Sequence, residues 1–472
     1  MTMKMNKPER GSVLITTMIF TTIIGISLAT YLSMSKEALN LSQRSFYNNA
    51  AMNLVEGGME QAFWSLNNNS WAGWTVSGGN ATNTFSGFNY AGNATGLVKV
   101  CVENYANSGA PGPVVAEGIL TPGDPSNGGA LTKMAYATIS PRSLFALGIV
   151  ARNGVKFSGN VYVDSWNSLP NGSGGATQAY SAAVADAKAT VATTSVTADV
   201  SVGNGQINGY VSVAAGTLAN ITVGSSGYVG PFGQAGGTLN PAYVKDDFVD
   251  NLTVPTAPSP TTVNTLSAVN LSGSNTLSLP GAADHPNAAD GVYYYSIPSV
   301  SGSGNSSISI APNSKVVWIV TAAAGSDAIT ASGNGGIVIP SGSTLTVYTA
   351  GNVTVSGGGV LNANTQPRTF QLYGTDTFTP AAGQNPTQNI TLSGNATLIG
   401  VAYAPNAAIT LSGNAGTEGA VVGNSVTMSG NGSFHYDESL ATMSSSGLYQ
   451  PSQWSELASA SDRANYLSLV SF

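Results

Sequence analysis

Charge is what this sequence has least of. Only 8% of its 472 residues are Asp, Glu, Lys or Arg, against about 25% in an ordinary soluble domain. The 15 Lys and Arg are scattered and outnumbered by 22 Asp and Glu, for a net charge of −7. With no basic patch to meet a phosphate backbone, nucleic acid is not expected as a partner. A single cysteine, Cys101, excludes an intramolecular disulfide and reads as a small buried hydrophobe. No zinc pattern, nucleotide loop or Ser-His-Asp spacing is visible. Glycine-rich pieces such as "GNGGIVIPSG" lack the strand–helix context and the lysine of a phosphate loop.

What is present points to strands. Glycine accounts for 57 residues, and Val, Ile, Thr and Tyr recur at short intervals between the turns. Disordered chains are usually rich in charge and poor in β-branched residues. This composition instead describes many short strands joined by tight turns.

The N-terminus differs from the rest. No charge occurs between Arg10 and Lys36, and residues 11–35 as a helix measure about 37 Å, enough to cross a bilayer core of about 30 Å. Lys4, Lys7 and Arg10 precede the run and orient its start toward the cytoplasm. Ser27-Leu28-Ala29 would serve a signal peptidase. However, Tyr47, Ala51, Val55, Met59, Ala62 or Phe63, and Leu66 follow at helical spacing without proline. One helix running to Asn67, apolar first and amphipathic later, is not the architecture of a signal peptide.

The segments "ERGSVLI" and "AMNLVEGGMEQAFWSL" resemble the N-terminal region of PilX-type minor pilins and the related tip pseudopilins of type II secretion. That resemblance implies cleavage by a prepilin peptidase between Gly11 and Ser12. Two residues depart from the family pattern. Ser12 stands where a large apolar residue is usual, and Thr16 where major pilins carry Glu. The second departure argues against a major pilin and not against a minor one.

Residues 68–142 carry strand-like pieces ("GLVKVCVENY", "PVVAEGIL", "LTKMAYATI") and are expected to form a small β-rich connecting region. Beyond them Ser-Gly-Asn recurs, at 158–160, 332–334, 393–395, 412–414 and 429–431, the last three copies 19 and 17 residues apart. Short alternating segments run between the copies, the mark of a solenoid whose turns stack on a shared core. Gly and Asn accept left-handed backbone angles at a sharp corner. Stacking would bring Asn334, Asn395, Asn414 and Asn431 into register, with Asn160 in the first copy. The expected fold is therefore mainly β. A leader (1–11) and a long pilin-like helix (12–67) precede a parallel β-helix over 143–440, and 441–472 cap its last turn. The segments "SGNVYVDSWNS", "YAPNA" and "FHYDESL" resemble the β-helical domain that often follows PilX-like N-termini in pilus-assembly proteins.

Acids are few, so candidate sites are few. His435, Asp437 and Glu438 cluster and could do acid–base work, but a structural role at the end of the solenoid is favoured. Asp246, Asp247 and Asp250 match no EF-hand spacing, Asp164 suits a turn, and His285 falls in a loop. Tyr293, Tyr294 and Tyr295 alternate sides, which suits packing better than a sugar platform. No catalytic residue, metal or cofactor is expected, and the protein is not expected to be an enzyme. The residues and the resemblance together imply a minor pilin or assembly factor of a type IV pilus-like filament. Its partners would be other pilin subunits, the assembly machinery and the inner membrane, with a β-helix exported to the pilus or cell surface. The alternative is a membrane-tethered β-helix adhesin or glycan-active enzyme, whose partners would be surface glycans.

Overall fold

The computed structural model describes residues 10–106, 111–123, 128–172, 174–197, 199–214, 216–334, 336–381, 383–394, 398–413, 416–443 and 448–472. The chain is mainly β with one long N-terminal helix, and it divides into two compact units. The first takes residues 1–142 and 444–472, and the second takes 143–443.

The first unit begins with the helix Arg10–Asn67, 58 residues long. Its apolar half keeps its threonines satisfied by back-bonding one turn, as Thr21 Oγ1 does to the Thr17 carbonyl at 2.8 Å and Thr30 Oγ1 to that of Ile26 at 2.9 Å. From Tyr47 onward Ala51, Leu54, Val55, Met59, Ala62 and Leu66 are buried, a 3.6-residue stripe packed on a sheet. That sheet is antiparallel and six-stranded. It runs in order Thr75–Ser77, Asn80–Tyr90, Ala94–Val102, Val114–Thr121, Leu131–Pro141 and Tyr449–Glu456. Gly118 permits the contact, since a Cβ there would stand 2.3 Å from the Ala51 carbonyl oxygen. Cys101 lies inside the sheet, its thiol pushed up to about 11 by burial and then by Glu103.

Two expectations change here. Residues 68–142 do not merely connect, because they supply five strands of the sheet that covers the helix. Residues 444–472, expected as part of a cap, group with the first unit. Tyr449–Glu456 fills the open edge beside Leu131–Pro141 in antiparallel register. Asn67 anchors that strand through both backbone groups of Tyr449, accepting from its N–H at 2.6 Å and donating to its carbonyl at 3.0 Å.

The second unit is a closed, barrel-like parallel sheet of 23 strands with a four-stranded parallel sheet beside it. Its organisation is clearest in one register column: Val269, Val300, Ile329, Val353, Ile390, Ile409, Val426, Val155, Val200 and Ile221 are successive neighbours. All ten are buried, and the two ends of the column are the most exposed, Val269 at 9% and Ile221 at 8%. Each buried Val or Ile side chain stabilises by about 1.5–3 kcal/mol, and a parallel sheet covered in this way reads as β-branched runs. The advance from row to row is 31, 29, 24, 37, 19 and 17 residues up to Val426. The 37-residue advance from Val353 to Ile390 is a single row, with its surplus looped out.

The column is not in chain order. Val426, near the end of the unit, pairs with Val155, near its beginning. The chain therefore enters in the middle of the stack, builds rows outward to Val244–Lys245, and then crosses to Asn264–Thr265 at the other end. From there it builds rows back to the starting point. On the neighbouring column, from Val244 through Ile149 and Val421 to Asn264, the crossing spans ten rows, roughly 48 Å at about 4.8 Å each. Residues 246–263 reach about 60 Å when extended, so this proline-containing stretch has length to spare. It lies against the stack: Arg152 donates to the Leu252 carbonyl at 2.6 Å and Tyr403 Oη to that of Thr253 at 2.9 Å.

At the Ser-Gly-Asn corner, Ser393, Ser412, Ser429 and Ser158 are register neighbours. The glycine is the residue without a substitute. Gly159 has φ +125°, and a Cβ on it would meet the Gly430 carbonyl oxygen at 2.2 Å. Asn160 Nδ2 donates to Asn431 Oδ1 at 3.4 Å in the open. Gly159→Ala is expected to cost about 2–3 kcal/mol through backbone strain and contact, and Asn160→Ala less than about 0.5 kcal/mol. Urea unfolding of the detergent-solubilised chain, followed by the fluorescence of buried Trp166 and Trp318, distinguishes them, and equal losses would show that the asparagine shares the load.

Candidate functional site

The row where the two ends of the second unit meet carries a polar network. Ser433–Asp437 pairs in parallel with Tyr162–Trp166, so His435 faces Asp164 and Asp437 faces Trp166. Strand alternation turns Phe434 and Tyr436 into the core and sends Ser433, His435 and Asp437 outward. On the far side of His435, Glu418 is the register neighbour.

His435 Nδ1 lies 2.5 Å from Asp164 Oδ1, and its Nε2 lies 2.8 Å from Ser433 Oγ. Tyr180 Oη donates to Asp164 Oδ2 at 2.8 Å while its ring stacks on the imidazole, centroids 3.5 Å apart. Asp164 is fully buried and His435 7% exposed. Burial, followed by the hydrogen bond to Asp164, raises the Tyr180 phenol far above its ordinary range. Tyr162 is pushed up to about 12, by burial first and then by the Asp164 charge.

Asp437 is also fully buried, and four donors satisfy it. The backbone N–H groups of Ser168 and Ser439 reach Oδ1 at 2.9 and 3.0 Å, and their hydroxyls reach Oδ2 at 2.6 and 2.9 Å. A buried carboxylate needs such partners. Glu438 accepts from Ser165 Oγ at 2.9 Å and from Lys188 Nζ at 3.3 Å. Ser143 Oγ donates to the Leu440 carbonyl at 2.6 Å, tying the start of the unit to its end.

The other sequence candidates lie apart from this network. Asn334 Nδ2 donates to Asn305 Oδ1 at 3.3 Å, so one of its stacking partners is Asn305. Asn395 and Asn414 lie outside the described residues, as does the leader through residue 9. Gly11 and Ser12 begin the long helix, and their side chains are outside the described set. His285 is exposed in a loop, its N–H donating to Asn264 Oδ1 at 3.0 Å. Tyr295 is a core residue. Among the described residues no three His, Cys, Asp or Glu side chains gather as a metal-holding group.

Sequence reasoning missed Ser433 and Tyr180 and left Asp164 unpaired. A signal for the pair was present: Asp164 follows Asn160 by four residues and His435 follows Asn431 by four. Aligning the two Ser-Gly-Asn copies puts the acid opposite the histidine.

Residues 244–443 match a family described as a domain of unknown function, DUF7305. No curated protein matches the chain in sequence. A solved structure, the competence-associated pilin ComZ from Thermus thermophilus, is similar at 12% identity over 87% of this chain and 97% of that one, with a TM-score of 0.27. At that score the likeness carries no argument about fold or role.

Glu418 gives this network a pH dependence. Burial raises its carboxyl above the ordinary value against the lowering effect of His435, and Asp437 raises it further. The folded state thus holds this proton more tightly than the unfolded one. The stability it contributes is complete below an unfolded value of about 4.3 and is lost as pH rises through the folded value. Glu418→Gln is expected to remove that loss, leaving the variant more resistant to urea than the parent at pH 7 and no more resistant at pH 4. An unchanged difference between the two pH values would refute the assignment.

Proposed function

We propose that the chain is a PilX-like minor pilin or assembly factor of a type IV pilus-like filament, and that its second unit is a parallel β-helix carried on the exported side. The observation that supports this reading is one helix with two regimes. From Val13 to Leu41 its large apolar side chains are exposed, Ile24 at 64% and Leu41 at 70%, whereas one stripe from Tyr47 to Leu66 is buried under the sheet. Residues 13–35 carry no charge, and an 18-residue window with mean hydropathy 2.0 suits both a bilayer and lateral packing against like helices. A bare tether would not need to continue into the packed half. The row-by-row parallel pairing supports the β-helix. In this reading the partners are other pilin subunits, the assembly machinery and the inner membrane. Assembly itself calls for no cofactor and no catalysis.

A second reading, a tethered adhesin for surface glycans, draws on one feature. An open cleft of about 560 Å³ is lined by Tyr210, Lys188, Lys245, Asp247 and Phe248. In it the Tyr210 ring stacks on Tyr243 at 4.8 Å and Lys245 Nζ lies 5.8 Å above Tyr210. Aromatic faces with flanking cations suit an acidic sugar.

Processing separates the pilin reading from a plain export signal. Mass spectrometry of the mature chain is expected to find Ser12 first, and Gly11→Glu is expected to leave the leader attached and to abolish co-isolation with pilin subunits. A mature chain beginning at Thr30 would mean signal-peptidase cleavage, removal of the anchor and rejection of the pilin reading.

A further inference from the structure

The His435 network holds a grouping that packing alone does not require. Asp164 accepts from Tyr180 Oη through Oδ2 and faces His435 Nδ1 through Oδ1. An acceptor-only carboxylate calls for the proton on Nδ1, which leaves the Nε2 lone pair for the Ser433 hydroxyl. The order is hydroxyl, imidazole, buried acid, with the ring held flat by Tyr180. That is the relay by which a weak serine hydroxyl becomes a nucleophile.

Access to Ser433 is the second observation. Its register neighbour in the preceding row is Gly416, where a Cβ would stand 2.9 Å from Ser433 Oγ and 3.7 Å from His435 Nε2. No positive φ requires glycine there. The missing side chain keeps the hydroxyl at its distance from the base, and Ser433 is half-buried where His435 and Asp164 are buried.

We propose that Ser433 is the nucleophile of an acyl-transfer site acting on carboxylic esters, with His435 as its base and Asp164 as the positioning residue. Ser433 Oγ attacks the ester carbonyl carbon while His435 Nε2 takes the hydroxyl proton. Collapse of the tetrahedral adduct breaks the carbonyl–oxygen bond, and His435 returns the proton to the leaving alcohol. Water, deprotonated by the same nitrogen, then releases the acid and restores the serine. No redox partner or metal enters this balance. The activity stands apart from the assembly role, and neither depends on the other.

The test uses the full chain in detergent and a fluorophosphonate–biotin probe, which reacts with activated serines, followed by peptide mapping. One adduct is expected, on Ser433. Ser433→Ala and His435→Gln should lose it. Gly416→Ala, which pushes the hydroxyl away from Nε2, should slow labelling at least tenfold with the Trp166 and Trp318 fluorescence unchanged. Asp164→Asn, with p-nitrophenyl acetate as substrate, should lower kcat and leave KM near the parent value. Four results would each overturn the proposal: a folded parent protein that takes no label, a label that persists in Ser433→Ala, Gly416→Ala reacting at the parental rate, or Asp164→Asn turning over as the parent does.

Discussion

The second unit depends on one non-covalent joint, the parallel pairing of Ile149–Ala151, Val155–Gly159 and Tyr162–Trp166 with a row about 270 residues later in the chain. Every other row is held to a neighbour close in sequence, where loop closure is cheap. This joint closes the longest loop in the unit, and the entropy of closure must be offset by what the two rows bury and bond. The polar groups gather here for that reason. Asn153 Nδ2 bonds Asn424 Oδ1 at 3.0 Å, and Ser165 Oγ reaches Glu438 at 2.9 Å. The fourfold satisfaction of Asp437 makes the pairing specific, since a slip of one residue would remove the two donors of Ser168 and leave the buried carboxylate half satisfied.

Much of this was legible in the sequence. The uncharged run, the helical stripe from Tyr47 to Leu66 and the recurrence of Ser-Gly-Asn each follow from periodicities of 3.6 and 2 that a chain cannot hide. What escaped were matters of pairing. The row length varies from 17 to 37 residues, so a fixed period could not reveal which copies are neighbours. The closing joint runs against chain order, and no local pattern announces that the last Ser-Gly-Asn sits beside the first. Asp164 and His435 are ordinary residues until that adjacency is known. The sequence reading of the corner tripeptide put its weight on asparagine alone. Asparagine is the conspicuous residue, but at Gly159 and Gly333 a Cβ would stand 2.2 Å from the carbonyl oxygen of a glycine in the adjoining row.

The final strand escaped for a related reason. "YQPSQWSE" has weak alternation and a proline, features of an edge strand more than of a central one. It takes the outer edge of the first unit's sheet, with a register shift at the proline. Asn67, outside every repeat and the last residue of the long helix, supplies the two hydrogen bonds that fix where this strand begins.

Because the chain enters and leaves the stack at adjacent middle rows, joined at Ser143 and Leu440, neither end of the stack is a chain terminus. Rows can be added or lost at the Val244 end or the Asn264 end, provided the crossing segment changes length to match. The joint then stays where it is. A relative with a longer or shorter stack would keep the same middle, and variation in size would collect at two places remote from it. Rows can thus be gained or lost at both ends of the register column while the row that joins its two halves is kept.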